Sequence, residues 1–282
     1  MAKRDSHCDS TSNLQGAAAS VGGGLSAAEC VPAVSVVPAV SVVNEQGTSP
    51  YLLICEHASN FMPEKFARLG LNEADLSAHI AWDPGAVEVA RRMSTALDAT
   101  LIEACLSRLL IDCNRPLTAP DLIPEVSEIT IVPGNQNLSD DERQERISLS
   151  HQPFHAKIEE IIEARKARGQ DSRVITIHSY TPVYKGVNRP WHIGIIHDAD
   201  DRLGARMIAG LRKDAEKSGI HIGVNEPYSP DDRVYYTVEY HARKRGDLGA
   251  MVEIRNNEIA DAQGQSRWSE RLSSILKAIE AE

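Results

Sequence analysis

The sequence lacks any apolar run long enough to cross a bilayer. A membrane-spanning helix needs about 18 or more consecutive apolar residues, and no stretch of the 282-residue chain meets that requirement. The polar start MAKRDSHCDSTSN also lacks the charged and then apolar layout of a secretory signal. We therefore expect a soluble protein of the cytoplasm that has no membrane partner.

Cysteine and positive charge are also scarce. The five cysteines are an odd number without zinc-finger spacing, which argues against a disulfide framework and against a structural zinc site. With 30 Lys and Arg residues against 40 Asp and Glu residues, the formal net charge is -10, whereas nucleic-acid binders usually have a basic face. A small-molecule partner is expected, and no nucleic acid. No feature of the sequence indicates an oligomeric state.

The first 48 residues differ in composition from the rest of the chain. They are rich in Ala, Ser, Gly and Val, contain no aromatic residue, and repeat VPAVSV at 31–36 and 37–42. Because two copies are too few to stack as a solenoid, residues 1–48 are predicted to be a flexible, low-complexity tail. Their β-branched content leaves an added edge strand open. Residues 49–282 are predicted to form a single α/β domain.

Short apolar runs alternate with helical patterns after residue 50. The runs are YLLIC, TLIEACL, SRLLI, ITIV, SRVITI, WHIGII and GAMVEI. Apolar residues recur at helical spacing in 85–97, 201–218 and 266–281. Ser139 and Glu142 form a predicted capping box for a helix that ends near residue 168. This alternation predicts an α/β sandwich with a mostly parallel sheet, whose site lies at the carboxyl ends of the strands.

Two histidines that are far apart in sequence follow predicted buried strands. Glu56 and His57 come after YLLIC, and His178 comes after VITI. A catalytic zinc ion usually binds three protein ligands, mixing His with a carboxylate, and leaves one position for water. His57 and His178 are therefore candidate ligands, although either could be a hydrogen-bonded structural residue. Asp83, in HIAWDPGA, is the candidate carboxylate, and Glu56 is its rival.

Glu253 lies between apolar residues in the predicted strand GAMVEIR. A buried carboxylate is unfavourable unless it is paired or functional. Glu253 is therefore a candidate general base that accepts a proton from metal-activated water. An ion pair with Arg255, or a position on the solvent side of an edge strand, is the alternative.

Arginines in two turns are candidates for binding a substrate carboxylate. Asn114 and Arg115 lie in DCNRP, and Arg189 and His192 lie in NRPWHIG. Arginine is suited to this role because it forms two parallel hydrogen bonds to a carboxylate. An isolated arginine in a turn is, however, more often a surface residue.

A second histidine pair, His151 and His155, is not expected to bind metal. The two residues are four apart, as in the helical zinc motif. Gln152 stands where that motif needs an acid, and Pro153 is expected to interrupt the helix.

Seven ordered blocks resemble the N-formylglutamate amidohydrolase family between about Tyr51 and Leu276. They are LLICEHASN, HIAWDPGA, LLIDCNRP, HSYTPVYKG, RPWHIGIIHD, NEPYSP and VEIRNN. The resemblance implies a three-layer, zinc-exopeptidase-like (phosphorylase/hydrolase-like) α/β catalytic domain. It also implies hydrolysis of N-formyl-L-glutamate to formate and glutamate, late in histidine degradation. One Zn²⁺ per chain and a small carboxylate-bearing substrate follow from that activity.

The sequence is similar, more weakly, to zinc carboxypeptidases. In those enzymes an Asn-Arg pair holds the substrate carboxylate, and a Glu before an apolar residue and an Arg supplies the base. Asn114 with Arg115, and Glu253, match these two elements. Asn60 stands where a carboxypeptidase has a glutamate ligand. The second ligand therefore stays open between Asp83 and Glu56. The family pattern also implies that His155 faces the site without binding metal.

The expected mechanism uses zinc held by His57, Asp83 and His178 to activate water and to polarise the acyl carbonyl. Glu253 and Arg115 are the predicted catalytic residues, and Glu253 is expected to move the proton. The predicted substrate-binding residues are Asn114, Arg115, Arg189, His192 and His241. Two other functions remain open at this point: a carboxypeptidase or deacylase of another N-acyl amino acid or γ-glutamyl peptide, and a non-catalytic binding protein on the same fold.

Overall fold

The computed structural model describes residues 37–281. Residues 1–36 of the predicted tail lie outside the described residues. The strands are β1 (Val40–Val43), β2 (Tyr51–Cys55), β3 (Thr100–Ala104), β4 (Val126–Ser127), β5 (Thr130–Ile131), β6 (Arg173–Tyr180), β7 (Val183–Tyr184), β8 (Val187–Asn188), β9 (Ile193–Ile196), β10 (Ile222–Val224) and β11 (Gly249–Arg255). The helices are α1 (Glu73–Ser77), α2 (Ala86–Leu97), α3 (Asp140–Arg146), α4 (Gln152–Ala167), α5 (Gly204–Ser218), α6 (Tyr236–His241) and α7 (Ala262–Glu280). Within 37–281, no helix combines the length and the apolar character that crossing a membrane requires.

Seven of the strands form one mixed sheet in the order β1-β3-β2-β6-β11-β9-β10. Strands β3, β2, β6 and β11 are mutually parallel, and β9 is parallel to β10. The β1–β3 and β9–β11 pairs are antiparallel. The pairing confirms the predicted α/β fold with a mostly parallel mixed sheet. Two small hairpins, β4–β5 and β7–β8, are separate from it.

Helices cover both faces of this sheet. Successive side chains of β2 point to opposite faces, as extended backbone requires. Leu53 packs in a cluster with Met93 of α2 and Trp268 of α7, whereas Ile54 packs in a cluster with Ile158 of α4. Because both faces are buried, the strand is a continuous apolar run rather than an alternating one. The result is the predicted three-layer sandwich.

The helix predicted from Ser139 to about residue 168 changes its winding in the middle. Ser139 and Glu142 form the predicted capping box at the start of α3. A π-helical turn over Ile147–His151 follows, and α4 then continues with Pro153 in its first turn. Proline has no N–H to donate, and a wider turn before it accommodates the missing hydrogen bond. Pro153 therefore changes the winding without ending the helix.

The run SRLLI does not form a strand. Residues 108–110 are turns, and Leu109, Leu110 and Ile111 are buried in the loop after β3. A short apolar run indicates burial, but periodicity alone does not distinguish a strand from a buried loop.

The second VPAVSV copy contains a strand. β1 pairs antiparallel with β3 at the edge of the sheet, with Val40 opposite Ala104. For residues 40–43 the structure thus shows the edge strand that the β-branched composition had left open.

Candidate active site

Three adjacent strands bring predicted site residues to one edge of the sheet. His57 follows β2, His178 lies in β6 and Glu253 lies in β11. Strand β6 lies between the other two, and Glu253 is the register partner of His178. Because parallel strands end at the same edge, these three buried residues become neighbours despite their separation in sequence.

Asp83 reaches the same place from the loop before α2. Its backbone N–H donates to the carbonyl of His57 at 3.0 Å. Gly85, with φ of +81°, is the N-cap of α2. A Cβ at Gly85 would lie 2.3 Å from the carbonyl oxygen of Ile259, so only glycine permits this approach of the two segments. The turn holds Asp83 against the end of β2.

The side chains of His57, Asp83 and His178 converge on one point. Nδ1 of His57 lies 3.2 Å from Nδ1 of His178. Oδ2 of Asp83 lies 3.2 Å from the first of these nitrogens and 2.9 Å from the second. Zinc bonds of about 2.0–2.1 Å place tetrahedral ligand atoms about 3.3 Å apart. The three residues, called the metal cluster below, therefore form a group that could hold a metal ion.

A carboxylate lies behind each imidazole. Nε2 of His57 is 2.8 Å from Oδ1 of Asp112, and Nε2 of His178 is 3.1 Å from Oε2 of Glu56. Because a carboxylate only accepts, the His57 ring has its proton on Nε2 and presents a lone pair from Nδ1. The contact of His178 with Glu56 is at ion-pair distance but lacks hydrogen-bond geometry. Such carboxylates orient metal-binding imidazoles and increase their basicity. Glu56, the rival ligand, thus lies on the side of His178 that faces away from the cluster.

The atoms of the metal cluster fit a cation. Two imidazole nitrogens and a carboxylate oxygen face one another within 3.2 Å, a spacing that a positive charge, either a bound cation or a ring proton, makes favourable. Imidazole nitrogen with carboxylate oxygen is a ligand set that zinc prefers. Among residues 37–281 no other group of His, Cys, Asp and Glu has this spacing.

Glu253 lies beside the metal cluster. Burial raises the pKa of Glu253 to about 8, against the opposing effect of His178. Its Oε2 atom is buried and has no hydrogen-bond partner within the described part of the chain. The alternative ion pair is not observed, because Arg255 contacts Glu258 at 3.0 Å. A carboxylate of this kind is suited to accept a proton near neutral pH.

A cavity of about 220 Å³ opens over the metal cluster and Glu253. Pockets for drug-sized ligands usually measure about 300–1,000 Å³. The cavity therefore suits a small substrate.

Asn114 and Arg115 line the cavity, but most of their hydrogen-bonding groups are engaged. Nδ2 of Asn114 donates to the carbonyl of Val234, and its Oδ1 accepts from the N–H of Thr237 at 3.0 Å. Nε of Arg115 donates to Oδ2 of Asp121 at 3.0 Å. Both side chains thus connect their turn to other parts of the loop region.

Arg189 lies among three tyrosine rings. Its guanidinium carbon is 4.5 Å from the ring centroid of Tyr184, 4.8 Å from that of Tyr228 and 5.7 Å from that of Tyr180. The first two tyrosines line the cavity. Arg189 therefore lies directly behind part of the cavity wall.

His192 and His241 do not line the cavity. Nδ1 of His192 accepts from the N–H of His221 at 2.9 Å, and Nε2 of His241 lies 2.8 Å from Nδ1 of His155. The structure does not bring either ring to the metal cluster, so the predicted contact with substrate has no geometric support.

Comparison with known proteins identifies the family. Residues 49–260 match the family model described as N-formylglutamate amidohydrolase. The chain belongs to the N-formylglutamate amidohydrolase family. This match confirms the resemblance of the seven sequence blocks. Members of this family act on amide bonds, so a small-molecule substrate agrees with the small cavity.

Two solved structures resemble this family member. A gene product of Agrobacterium tumefaciens is 44% identical, with a TM-score of 0.83, over 87% of this chain and 96% of that chain. The N-formylglutamate amidohydrolase from Ralstonia eutropha is 18% identical, with a TM-score of 0.56, over 87% of this chain and 98% of that chain. The second likeness shows a shared fold. A search of curated proteins found no significant match.

Arg108 and Asp112 are site residues of this family member that the sequence patterns did not identify. Arg108 donates to Oδ2 of Asp112 at 2.9 Å and to Oδ1 of Asp83 at 3.3 Å. Their i,i+4 spacing is a known signal for an ion pair on a helical turn. The apolar run SRLLI hides this signal because it predicts a strand, in which residues four apart do not touch.

Proposed function

We propose that the chain hydrolyses the amide bond of a small N-acyl amino acid such as N-formyl-L-glutamate. The main support is the convergence of two imidazole nitrogens and a carboxylate oxygen within 3.2 Å. A metal-ligand group beside a carboxylate base is the arrangement that metal-assisted hydrolysis uses. Family membership supports the amide as the bond that is cleaved. This activity would place the chain in the cytoplasmic breakdown of histidine, as the resemblance implies.

His57, Asp83 and His178 would hold one Zn²⁺ per chain. The ion would supply a Lewis acid for the acyl carbonyl and lower the pKa of a water at its open position. Asp112 accepts a hydrogen bond from Nε2 of His57, and Glu56 lies at ion-pair distance from Nε2 of His178, so both rings direct Nδ1 at the same point.

Glu253 moves the proton. Its Oε2 atom accepts a proton from the attacking water, and the same carboxyl then delivers that proton to the nitrogen of the departing amino acid. Burial, which raises the pKa of this carboxyl above its usual range, helps it to hold the proton between the two steps. The metal cluster, which is also buried, keeps bulk water away from the reacting carbonyl.

A guanidinium at the cavity binds the carboxylate of the substrate through paired hydrogen bonds. Arg115, with Asn114 beside it, and Arg189 are the candidates. Arg115 lines the cavity but has a carboxylate partner already, whereas Arg189 lies behind the lining tyrosines.

Zinc content and a chelator-sensitive assay test the proposal. Protein purified without added metal should contain about one zinc per chain and should hydrolyse N-formyl-L-glutamate until a chelator removes the metal. Among N-acyl substrates the smallest acyl group should be preferred. Preference for a larger acyl group or a γ-glutamyl peptide would indicate a deacylase or carboxypeptidase instead. Absence of both zinc and turnover would contradict the proposal and indicate a binding protein.

A further inference from the structure

Two arginines at the cavity are already paired with carboxylates. Arg108 contacts Oδ2 of Asp112 at 2.9 Å and Oδ1 of Asp83 at 3.3 Å. Arg115 contacts Oδ2 of Asp121 at 3.0 Å. A substrate carboxylate at either arginine would have to compete with an acidic side chain of the protein that already pairs with it.

Arg189 differs from both. Within residues 37–281 its side chain makes one hydrogen bond, from Nη1 to the hydroxyl oxygen of Tyr228 at 3.0 Å, and no ion pair. The residue is only 8% exposed, and a largely buried guanidinium without an anion in contact is unfavourable. The faces of Tyr184 and Tyr228 offset only part of that cost. The fold thus keeps beside the cavity a cation that no carboxylate of the described residues contacts, although its charge lowers the pKa of Glu253.

Hydrogen-bond donors remain free around this cation. Nε and Nη2 of Arg189 donate to no atom of the described residues, and neither is a fully buried unpaired atom. Tyr228 accepts from Arg189, and its own O–H is donated to no residue within 37–281. Arg189 is not among the lining residues, so a carboxylate in the cavity would meet the phenol of Tyr228 first and reach the free guanidinium donors bonded beside it.

The charge of the cavity wall also favours this position. Acidic side chains outnumber arginines among the lining residues: Asp83, Asp112, Asp121, Glu128 and Glu253 against Arg108 and Arg115. Both lining arginines are paired with lining acids, so apart from the metal ion of the proposed function the lining residues offer an anionic substrate no unpaired positive charge. The guanidinium of Arg189, behind two lining tyrosines, supplies one.

We infer that Arg189 and Tyr228 form the subsite that binds the carboxylate of the substrate. Arg115 then has a different task, because its contacts with Asp121 and with the carbonyl of Arg233 at 3.1 Å hold its own turn in place. The inference rests on the proposed function for the identity of the substrate. It assigns to a loop arginine the role that the Asn-Arg pair has in the similar carboxypeptidases.

Binding of N-formyl-L-glutamate to zinc-loaded Glu253→Gln protein, in which turnover is slow, tests the inference. Adding Arg189→Gln should raise the Kd about tenfold to a hundredfold, the effect of losing paired charge-assisted hydrogen bonds. Adding Arg115→Gln should raise it by less than about threefold. Arg233→Gln is the matched control and should leave the Kd unchanged, because its side chain is exposed and pairs with Asp121 at 3.2 Å.

Two milder variants guard against a folding defect. Tyr228→Phe removes only the hydroxyl group and should raise the Kd several-fold with an unchanged thermal unfolding midpoint. Arg189→Lys keeps the charge without the fork of donors and should give an intermediate Kd. Ethanesulfonate, an anionic probe without an amide bond, is titrated against the same variants by calorimetry.

The outcomes separate the subsite from the proposed function. A Kd that rises for Arg115→Gln and not for Arg189→Gln overturns the inference and leaves the proposed function intact. If N-formyl-L-glutamate is neither bound nor hydrolysed, but ethanesulfonate binds in a manner that depends on Arg189, the proposed function fails and the subsite stands. If neither ligand depends on Arg189, the inference is wrong.

Discussion

Two of the histidine clusters within residues 37–281 use their ring nitrogens in opposite ways. In the metal cluster, His57 and His178 face carboxylates with Nε2 and direct both Nδ1 atoms at one point, 3.2 Å apart. In the second cluster, formed by His151, His155 and His241, ring nitrogens bond to backbone carbonyls and to each other. The first arrangement leaves acceptors for a cation, and the second leaves none at a shared point.

The hydrogen bonds of the second cluster determine its protonation. Nε2 of His151 lies 2.9 Å from the carbonyl oxygen of Arg115, and Nε2 of His155 lies 2.8 Å from that of Cys113. A carbonyl only accepts, so both Nε2 atoms donate, and Nδ1 of His155 must accept from Nε2 of His241. The second cluster therefore holds the backbone on both sides of Asn114 in place. The i,i+4 spacing of two histidines therefore says less about metal binding than the hydrogen-bond partners of their ring nitrogens do.

The largest difference between the clusters is expected in metal binding. Asp83→Ala removes the anionic ligand and should reduce zinc from about one per chain to near zero, with turnover reduced to background. His155→Ala, the matched change in the second cluster, should retain zinc. Elemental analysis of both purified variants measures the difference. Similar zinc contents in the two proteins would contradict the assignment of the metal cluster.

A loss of turnover without a loss of metal is expected to distinguish Glu253 from the metal ligands. Glu253→Gln keeps the shape of the side chain but cannot accept the proton, so kcat for N-formyl-L-glutamate should fall about 10²–10⁴-fold while zinc content stays unchanged. Glu258→Gln is the control, because Glu258 pairs with Arg255 beyond the end of β11, and it should retain activity. Near-normal kcat in Glu253→Gln would show that another group moves the proton.

The strand-borne half of the candidate site could be predicted from sequence. Runs such as YLLIC are apolar throughout because both faces of the strand are covered, and a polar residue directly after such a run lies at the sheet edge. His57 and His178 are found by that rule. The mostly parallel order of the strands then brings the two rings together, which the alternation of strands and helices had already implied.

The loop-borne half could not be predicted in the same way. Asn114 uses its amide on Val234 and Thr237, more than a hundred residues along the chain, and no local pattern reports such a contact. Arg115 was selected by residue type, which does not show that Asp121 already neutralises it. Turn arginines differ in function because of their partners, and those partners are set by the packing of loops.

The second cluster should affect stability, and its effect should depend on pH. Burial lowers the pKa of His241 from 6.5 to about 4, and burial also lowers that of His155 well below 6.5. As pH falls, the unfolded chain binds protons first. The free energy of unfolding contributed by these rings is therefore complete above about pH 6.5 and decreases toward about pH 4.

A variant that cannot titrate isolates this effect. His241→Gln keeps an N–H that can donate to Nδ1 of His155, so between about pH 7 and pH 4 the wild type should lose about 3 kcal/mol more unfolding free energy than the variant. Denaturant unfolding at several pH values measures this difference. Loss of metal at low pH affects both proteins and cancels in the comparison. Identical pH profiles would show that His241 is not held neutral by burial.

The smallest effect is expected from the carboxylate behind His178. Glu56→Gln keeps an oxygen near Nε2 of that ring but removes the charge that increases its basicity, so the zinc Kd should rise about tenfold, at the lower end of the range for such partners. Glu103→Gln is the matched control, because Glu103 is also buried in the sheet but pairs with Arg91 at 2.7 Å. Its zinc Kd, measured by competition with a chelator, should not change. An unchanged zinc Kd in Glu56→Gln would mean that this carboxylate only orients the ring. The difference in metal binding between the two clusters would then depend only on the convergence of the ligand atoms.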